Sequence, residues 1–252
     1  MTDQDMTHRK NAEEHASRSD WSGSEVCVLA SSKPWHREVF DLEGRLPGVT
    51  WVWVASPDEL DRVLSRQQGV RYVFFLHWHW RVADSVWQRF ECVCFHMTDV
   101  PFGRGGSPLQ NLILRGCKDT VMTALQMDAG MDTGPVYAKR PMSLAGRAEE
   151  IYRRAAQLSV EMIEWMMINR PAPVPQQGTP VEFKRRTPDQ SELPSHGQLA
   201  DLQDFIRMLD APTYPKAFLI HGDFVLEFEE ASLTGDDIAA RVRIRKRRDM
   251  EK

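Results

Sequence analysis

A chain of 252 residues with 42% hydrophobic content can bury a substantial core, sized for one main domain and a smaller appendage. Its formal net charge of -4 and pI near 6.1 argue against a general polyanion binder, because phosphate recognition needs a clustered positive field. No run reaches the roughly 18 apolar residues that span a bilayer, and the acidic N-terminus lacks the apolar centre of a signal peptide, so a cytoplasmic location is expected.

Residues 1–24 are polar and without hydrophobic period, which predicts a disordered leader. From Glu25 short β-rich runs alternate with amphipathic segments. The pattern predicts strand Val26–Ala30, a helix around His36–Glu43, strand Thr50–Ala55, helix Pro57–Arg66, strand Tyr72–Leu76, helix Ala83–Arg89 and strand Cys92–His96. Such alternation predicts a Rossmann-like α/β fold, a mostly parallel sheet with helices on both faces. Cys27, Cys92, Cys94 and Cys117 contain no CxxC pair and read as reduced, mostly core thiols; His36 reads as a surface residue.

A Gly-rich loop follows, then a helix from Ser107 to about Arg115, with Ser107 as its cap and Pro108 in its first turn. Strands near Val121–Met127 and Val136–Arg140 precede a long helix, about Arg147 to Asn169. Its methionines read as core filler. Pro171–Pro180 reads as an extended connector, closing a main domain of residues 25–180. The remainder, 181–252, is a short C-terminal region with a helix from Leu199 to Leu209 and a hairpin of Ala217–Ile220 and Phe224–Phe228. Its last basic run, Arg241–Arg248, reads as a solvated end. The apolar residues of so small a unit would suit a homodimer contact.

Functional groups in parallel α/β sheets collect at the carboxyl ends of strands, where His96 falls. The strand period of two points Cys94 and His96 to one side. A later Gly-punctuated acidic loop, Asp128-Ala-Gly-Met-Asp132-Thr-Gly134, supplies a carboxylate that favours and orients an imidazolium. Alone, either loop is an ordinary turn; together they make a candidate acid-base pair.

Four segments resemble the formyltransferases that use 10-formyltetrahydrofolate: Cys94-Phe95-His96, Arg104-Gly105-Gly106, Pro108-Leu109-Gln110, and Gln126 through Gly134. Fainter resemblance continues through Thr179-Pro180 and Tyr214-Pro215-Lys216-Ala217-Phe218. The resemblance implies 10-formyltetrahydrofolate as co-substrate and a primary amine as acceptor. It makes His96 the donor to the oxygen that gains charge, and Asp132 the group that keeps His96 protonated and carries the amine's proton away. It also places the folate-lining segment on His77, Trp78, His79 and Trp80, with Thr98, Asp99, Val100 and Pro101 beneath the carrier and Asp128 beside it.

The family's third catalytic residue is Asn, and Cys94 stands in its place. A thiol is a weak donor. Asn111 is a substitute only if its loop folds back, and covalent catalysis by Cys94 is a minor alternative, as is metal binding by His77 and His79. The acidic average and the short tail favour a small amine, an amino sugar or an amino-acid derivative, over tRNA and over any nucleic-acid partner. The other readings are a formyltetrahydrofolate hydrolase and a folate-binding module without turnover.

Overall fold

The computed structural model describes residues 25–33, 36–37, 45–212 and 214–247. The expected leader and most of the helix expected around His36–Glu43 lie outside these residues. Strand β1 is Glu25–Ala30, β2 Val49–Val54, β3 Val70–Phe75 and β4 Cys92–His96. All four pair in parallel, in the order β2-β1-β3-β4. Strands β6 (Asp119–Gln126) and β7 (Val136–Ser143) then extend the sheet antiparallel.

The period of two divides the sheet into two buried faces. Cys27, Leu29, Tyr72 and Phe74 enter one hydrophobic layer, while their neighbours Val28, Ala30, Val73 and Phe75 enter the other. A strand buried on both sides reads as a continuous apolar run, as β1 and β3 do. The first face is covered by the 22-residue helix α4 (Ala148–Asn169), the third helix being α3 (Pro108–Ile113). Met162, Met166 and Met167 of α4 are buried in that layer. The second face is covered by α1 (Pro57–Arg66) through Leu60 and Leu64, with Val86 of the short α2 (Asp84–Trp87) beside them. Among the described residues no helix is long and apolar enough to cross a membrane.

The Gly-rich loop contains a short strand, β5 (Phe102–Gly105), that pairs in parallel with β8 (Val181–Phe183) from beyond the connector. Gly105 has φ +104°, and a Cβ there would lie 2.5 Å from the Phe183 carbonyl oxygen, so only glycine permits the pairing. The C-terminal region holds α5 (Leu199–Arg207) and the expected antiparallel hairpin, which a third antiparallel strand extends. The strands are β9 (Ala217–His221), β10 (Phe224–Thr234) and β11 (Asp237–Lys246). The basic run expected as a free end is mostly β11. Its alternation of Arg with Val and Ile is a strand period hidden by the charge, with Arg245 ion-paired to Glu227 at 2.9 Å and Arg241 to Glu229 at 3.5 Å.

Candidate functional site

One cavity of about 720 Å³ opens where the carboxyl ends of β3 and β4 meet the β6–β7 loop and the C-terminal region. Cys94, His96, Asp128 and Asp132 all line it, together with His77, Trp78, His79 and Trp80. His96 is 8% exposed, and its Nε2 lies 2.8 Å from the Gly103 carbonyl oxygen. A carbonyl only accepts, so Nε2 carries a hydrogen and donates it. Nδ1 faces Asp132 Oδ2 at 3.6 Å, beyond hydrogen-bond length. Nδ1, rather than Nε2, is therefore the ring nitrogen left to serve a ligand.

Asp132 is placed by backbone. It takes φ +55°, and its Oδ2 accepts the Gly105 N–H at 2.8 Å. Its neighbour Asp128 closes the loop internally, accepting from Thr133 Oγ1 at 2.5 Å and from the Gly130 N–H at 3.1 Å. Three of the five non-glycine residues with left-handed φ among those described, His77, Ser107 and Asp132, line this cavity. Such strain persists where surrounding contacts enforce it, which is common at binding sites.

The sequence gives no sign of the residue that joins these loops. Gln176, in the connector, donates through Nε2 to the carbonyls of Asp132 and Gly134, both at 2.8 Å. Its Oε1 accepts from Arg104 at 2.8 and 3.1 Å. A glutamine in a Pro- and Gln-rich stretch carries no local signature, so only tertiary proximity reveals it. Tyr152, Tyr214 and Arg185 also line the cavity, and the sequence marks none of them as a site residue, Tyr214 falling only in a segment of fainter resemblance.

Several expected residues stand elsewhere. Thr98, Asp99, Val100 and Pro101 do not line the cavity: Thr98 and Val100 are wholly buried, Thr98 bonding the Gly103 carbonyl at 3.2 Å, and Asp99 pairs with Lys139 at 2.5 Å. This segment supports the loop from below. Ser107 is left-handed and makes no side-chain cap; its Oγ accepts the Arg186 N–H instead. Asn111 is no substitute for the absent family Asn, since its Nδ2 donates to the carbonyls of Gly106, Ser107 and Lys184.

Burial first, then the Asp132 and Asp128 carboxylates, push the Cys94 thiol well above its usual range. It is protonated at neutral pH, which disfavours a nucleophilic role. His77 is a weak metal ligand because its Nε2 is engaged by the Tyr214 hydroxyl at 2.5 Å. His36 is not at the surface: it is 3% exposed, with Nδ1 against Ser31 Oγ at 2.5 Å. Burial lowers His36 to about 4 and His77 to about 3, aided by the Lys33 charge on both.

Those two rings carry a pH dependence. The unfolded chain protonates each near its ordinary 6.5 while the folded chain keeps them neutral. Their contribution to stability is thus complete above that value and is lost as pH falls toward 4, at up to about 1.4 kcal/mol per pH unit per histidine. Urea titrations at about pH 7 and pH 5 should show the fall, and His36→Gln should reduce it. Equal falls in both proteins would contradict a neutral buried His36.

The fold and cavity define an α/β protein with its ligand site at the carboxyl edge of the sheet and a His-carboxylate pair inside it. A family model described as "Methionyl-tRNA formyltransferase, C-terminal domain" matches residues 188–245. A solved structure titled methionyl-tRNA formyltransferase from Clostridium thermocellum is 38% identical, with a TM-score of 0.83 over 88% of this chain and 99% of that one. This chain belongs to the folate-dependent formyltransferase family. The methionyl-tRNA formyltransferase of Rickettsia massiliae is 25% identical over 155 residues, 60% of this chain. The match covers 51% of that relative, so the chain spans about half the length of the curated relatives it matches. A 4-N formyltransferase from Francisella tularensis, 12% identical with a TM-score of 0.61 over 79% of this chain and 93% of that one, shares the fold alone. The expectation of no nucleic-acid partner finds no support in the relatives named for tRNA.

Proposed function

We propose that this protein moves a formyl group from 10-formyltetrahydrofolate to the primary amine of a small molecule, an amino sugar or an amino-acid derivative. The observation that carries this reading is the convergence of Cys94, His96 and Asp132 on one cavity with two unlike arms. Trp78, Val82, Trp87 and Met127 belong to the hydrophobic layer on one sheet face. Tyr152 and Tyr214 belong to the other. Flat, apolar walls suit a pterin, and the tryptophan arm fits the carrier on that ground. The tyrosine arm is left for the amine.

In the transfer, the amine nitrogen bonds to the formyl carbon, the bond from that carbon to the carrier nitrogen breaks, and one proton passes from the amine to the carrier nitrogen. His96 Nδ1 donates to the formyl oxygen as charge develops there. Asp132 Oδ2, 3.6 Å from that nitrogen, receives the amine proton before passing it on. Residues 25–180 would form the catalytic domain and 181–252 would complete the acceptor arm.

Methionyl-tRNA is the second reading, favoured by the names of the similar proteins. Against it stands the pairing of β11 arginines with β10 glutamates, which removes positive charge that a phosphate backbone would need. Incubation with 10-formyltetrahydrofolate and nucleotide-linked amino sugars, amino acids or methionyl-tRNA separates the cases. Tetrahydrofolate release dependent on a small amine is expected. Formate release without any amine would make the protein a hydrolase, methionyl-tRNA as the sole acceptor would overturn the small-amine reading, and binding without turnover would leave a folate-binding module.

A further inference from the structure

Asp132 is held at two points, and both supports trace to the connector and the strand that follows it. Its carboxylate accepts the Gly105 N–H at 2.8 Å. Gly105 is the last residue of β5, which pairs with β8 just beyond the connector, and the next N–H, that of Gly106, bonds the Phe183 carbonyl at 3.0 Å. Its backbone is held by Gln176, whose Nε2 donates to the Asp132 and Gly134 carbonyls, both at 2.8 Å. A primary amide has two hydrogens, so one goes to each carbonyl. The Oε1 end accepts from Nη2 and Nε of Arg104 at 2.8 and 3.1 Å, which fixes the direction in which the amide points. Gln176 thus makes all four bonds that its side chain allows.

The connector is itself anchored on either side of Gln176. Val174 exchanges two backbone hydrogen bonds with Val136, at 2.8 Å each, and the Val181 N–H bonds the Pro101 carbonyl at 3.0 Å. Between these anchors Gln176 reaches the turn that presents Asp132. That turn needs a hold, because Asp132 sits at φ +55°, a conformation that a non-glycine residue keeps only where its surroundings enforce it. Asp132 lines the cavity, whereas Arg104 and Gln176 do not, so they act on it from behind. The gap of 3.6 Å between Asp132 Oδ2 and His96 Nδ1 is sensitive to this hold. A displacement of about 1 Å either closes it to a direct hydrogen bond or takes the carboxylate off the path of the amine's proton, and misplacement on that scale slows a reaction.

We propose that Gln176 is the positioning residue for Asp132, holding its carboxylate at the working distance from His96 through the Asp132 and Gly134 carbonyls, a role that rests on the formyl-transfer reading above. Arg104 orients the Gln176 amide and is a positioning residue in turn. The connector, none of whose residues lines the cavity, thereby governs the rate of the proton transfer inside it.

The test uses the full chain and the amine identified by the acceptor screen. Gln176→Glu keeps the length of the side chain and its acceptor for Arg104 but has no hydrogens for the two carbonyls. It should lower kcat by about ten- to a hundredfold, while KM for the amine and binding of 5-formyltetrahydrofolate stay within about twofold. Gln176→Met, also without donors but uncharged, should lose as much, which separates the missing donors from the added charge. If Gln176 works through Asp132, the two effects do not add: Gln176→Glu placed in the Asp132→Asn protein should change its already slow rate by less than about threefold.

A kcat within about threefold of the wild type in both Gln176 variants would overturn the proposal. So would a further loss of about tenfold or more in the Asp132→Asn background, or an equal loss of carrier and amine affinity accompanied by a lower melting temperature, since each would make Gln176 a support of the fold. A wild type that binds 5-formyltetrahydrofolate but formylates no amine would overturn the transfer reading and the proposal with it, an outcome read from the wild type alone and so distinct from the others.

Discussion

Asp132→Asn should slow formyl transfer by about two to four orders of magnitude while leaving the fold intact. An asparagine oxygen can still accept the Gly105 N–H that Asp132 Oδ2 now receives at 2.8 Å, and asparagine tolerates the φ of +55° at this position. What disappears is the negative charge facing His96 Nδ1 at 3.6 Å and the group that receives the amine's proton. Single-turnover transfer and thermal melting, measured on the same preparation, separate the two contributions. A rate within about tenfold of the wild type would show that the carboxylate charge is not required.

The second large effect is structural and reaches the same loop. Gly134 closes the turn between β6 and β7, and a Cβ there would sit 1.9 Å from the Gln126 carbonyl oxygen. That oxygen belongs to backbone fixed by the sheet, since the Gln126 N–H itself bonds the Pro135 carbonyl at 2.9 Å. Gly134→Ala must therefore open the turn, which also breaks the Gln176 bonds to the carbonyls of Asp132 and Gly134. We expect about 3 kcal/mol of destabilisation, about 6–12 °C in melting temperature, together with loss of transfer. A melting temperature unchanged within about 2 °C would contradict the close approach.

These two effects also mark where sequence reasoning succeeds and where it stops. The strand from Cys92 to His96 is bounded as its β-rich pattern indicates, and its carboxyl end, with Cys94 and His96, opens on the cavity. At Gly134 the backbone approaches the Gln126 carbonyl so closely that a side chain would not fit, which the acidic reading of that loop did not anticipate. Likewise, β11 is concealed by its arginines. Charge dominates its composition, while its strand period becomes meaningful only when β10 lies beside it with Glu227 and Glu229 in register.

The amino-acid sequence by itself determined the alternation of strands and helices, the two-sided core and the positions of His96 and Asp132, since each follows from local period or from a contiguous motif. Tertiary structure alone decided which nitrogen of His96 is free, that Thr98–Pro101 lie beneath the site rather than in it, and that His36 is buried and His77 half-buried. It also decided that Gln176 and Tyr214 belong to the site. The physical reason is the same throughout: hydrogen-bond partners from segments 27 to 137 residues apart meet only when the sheet, the connector and the C-terminal region pack together, and no local pattern records such a meeting.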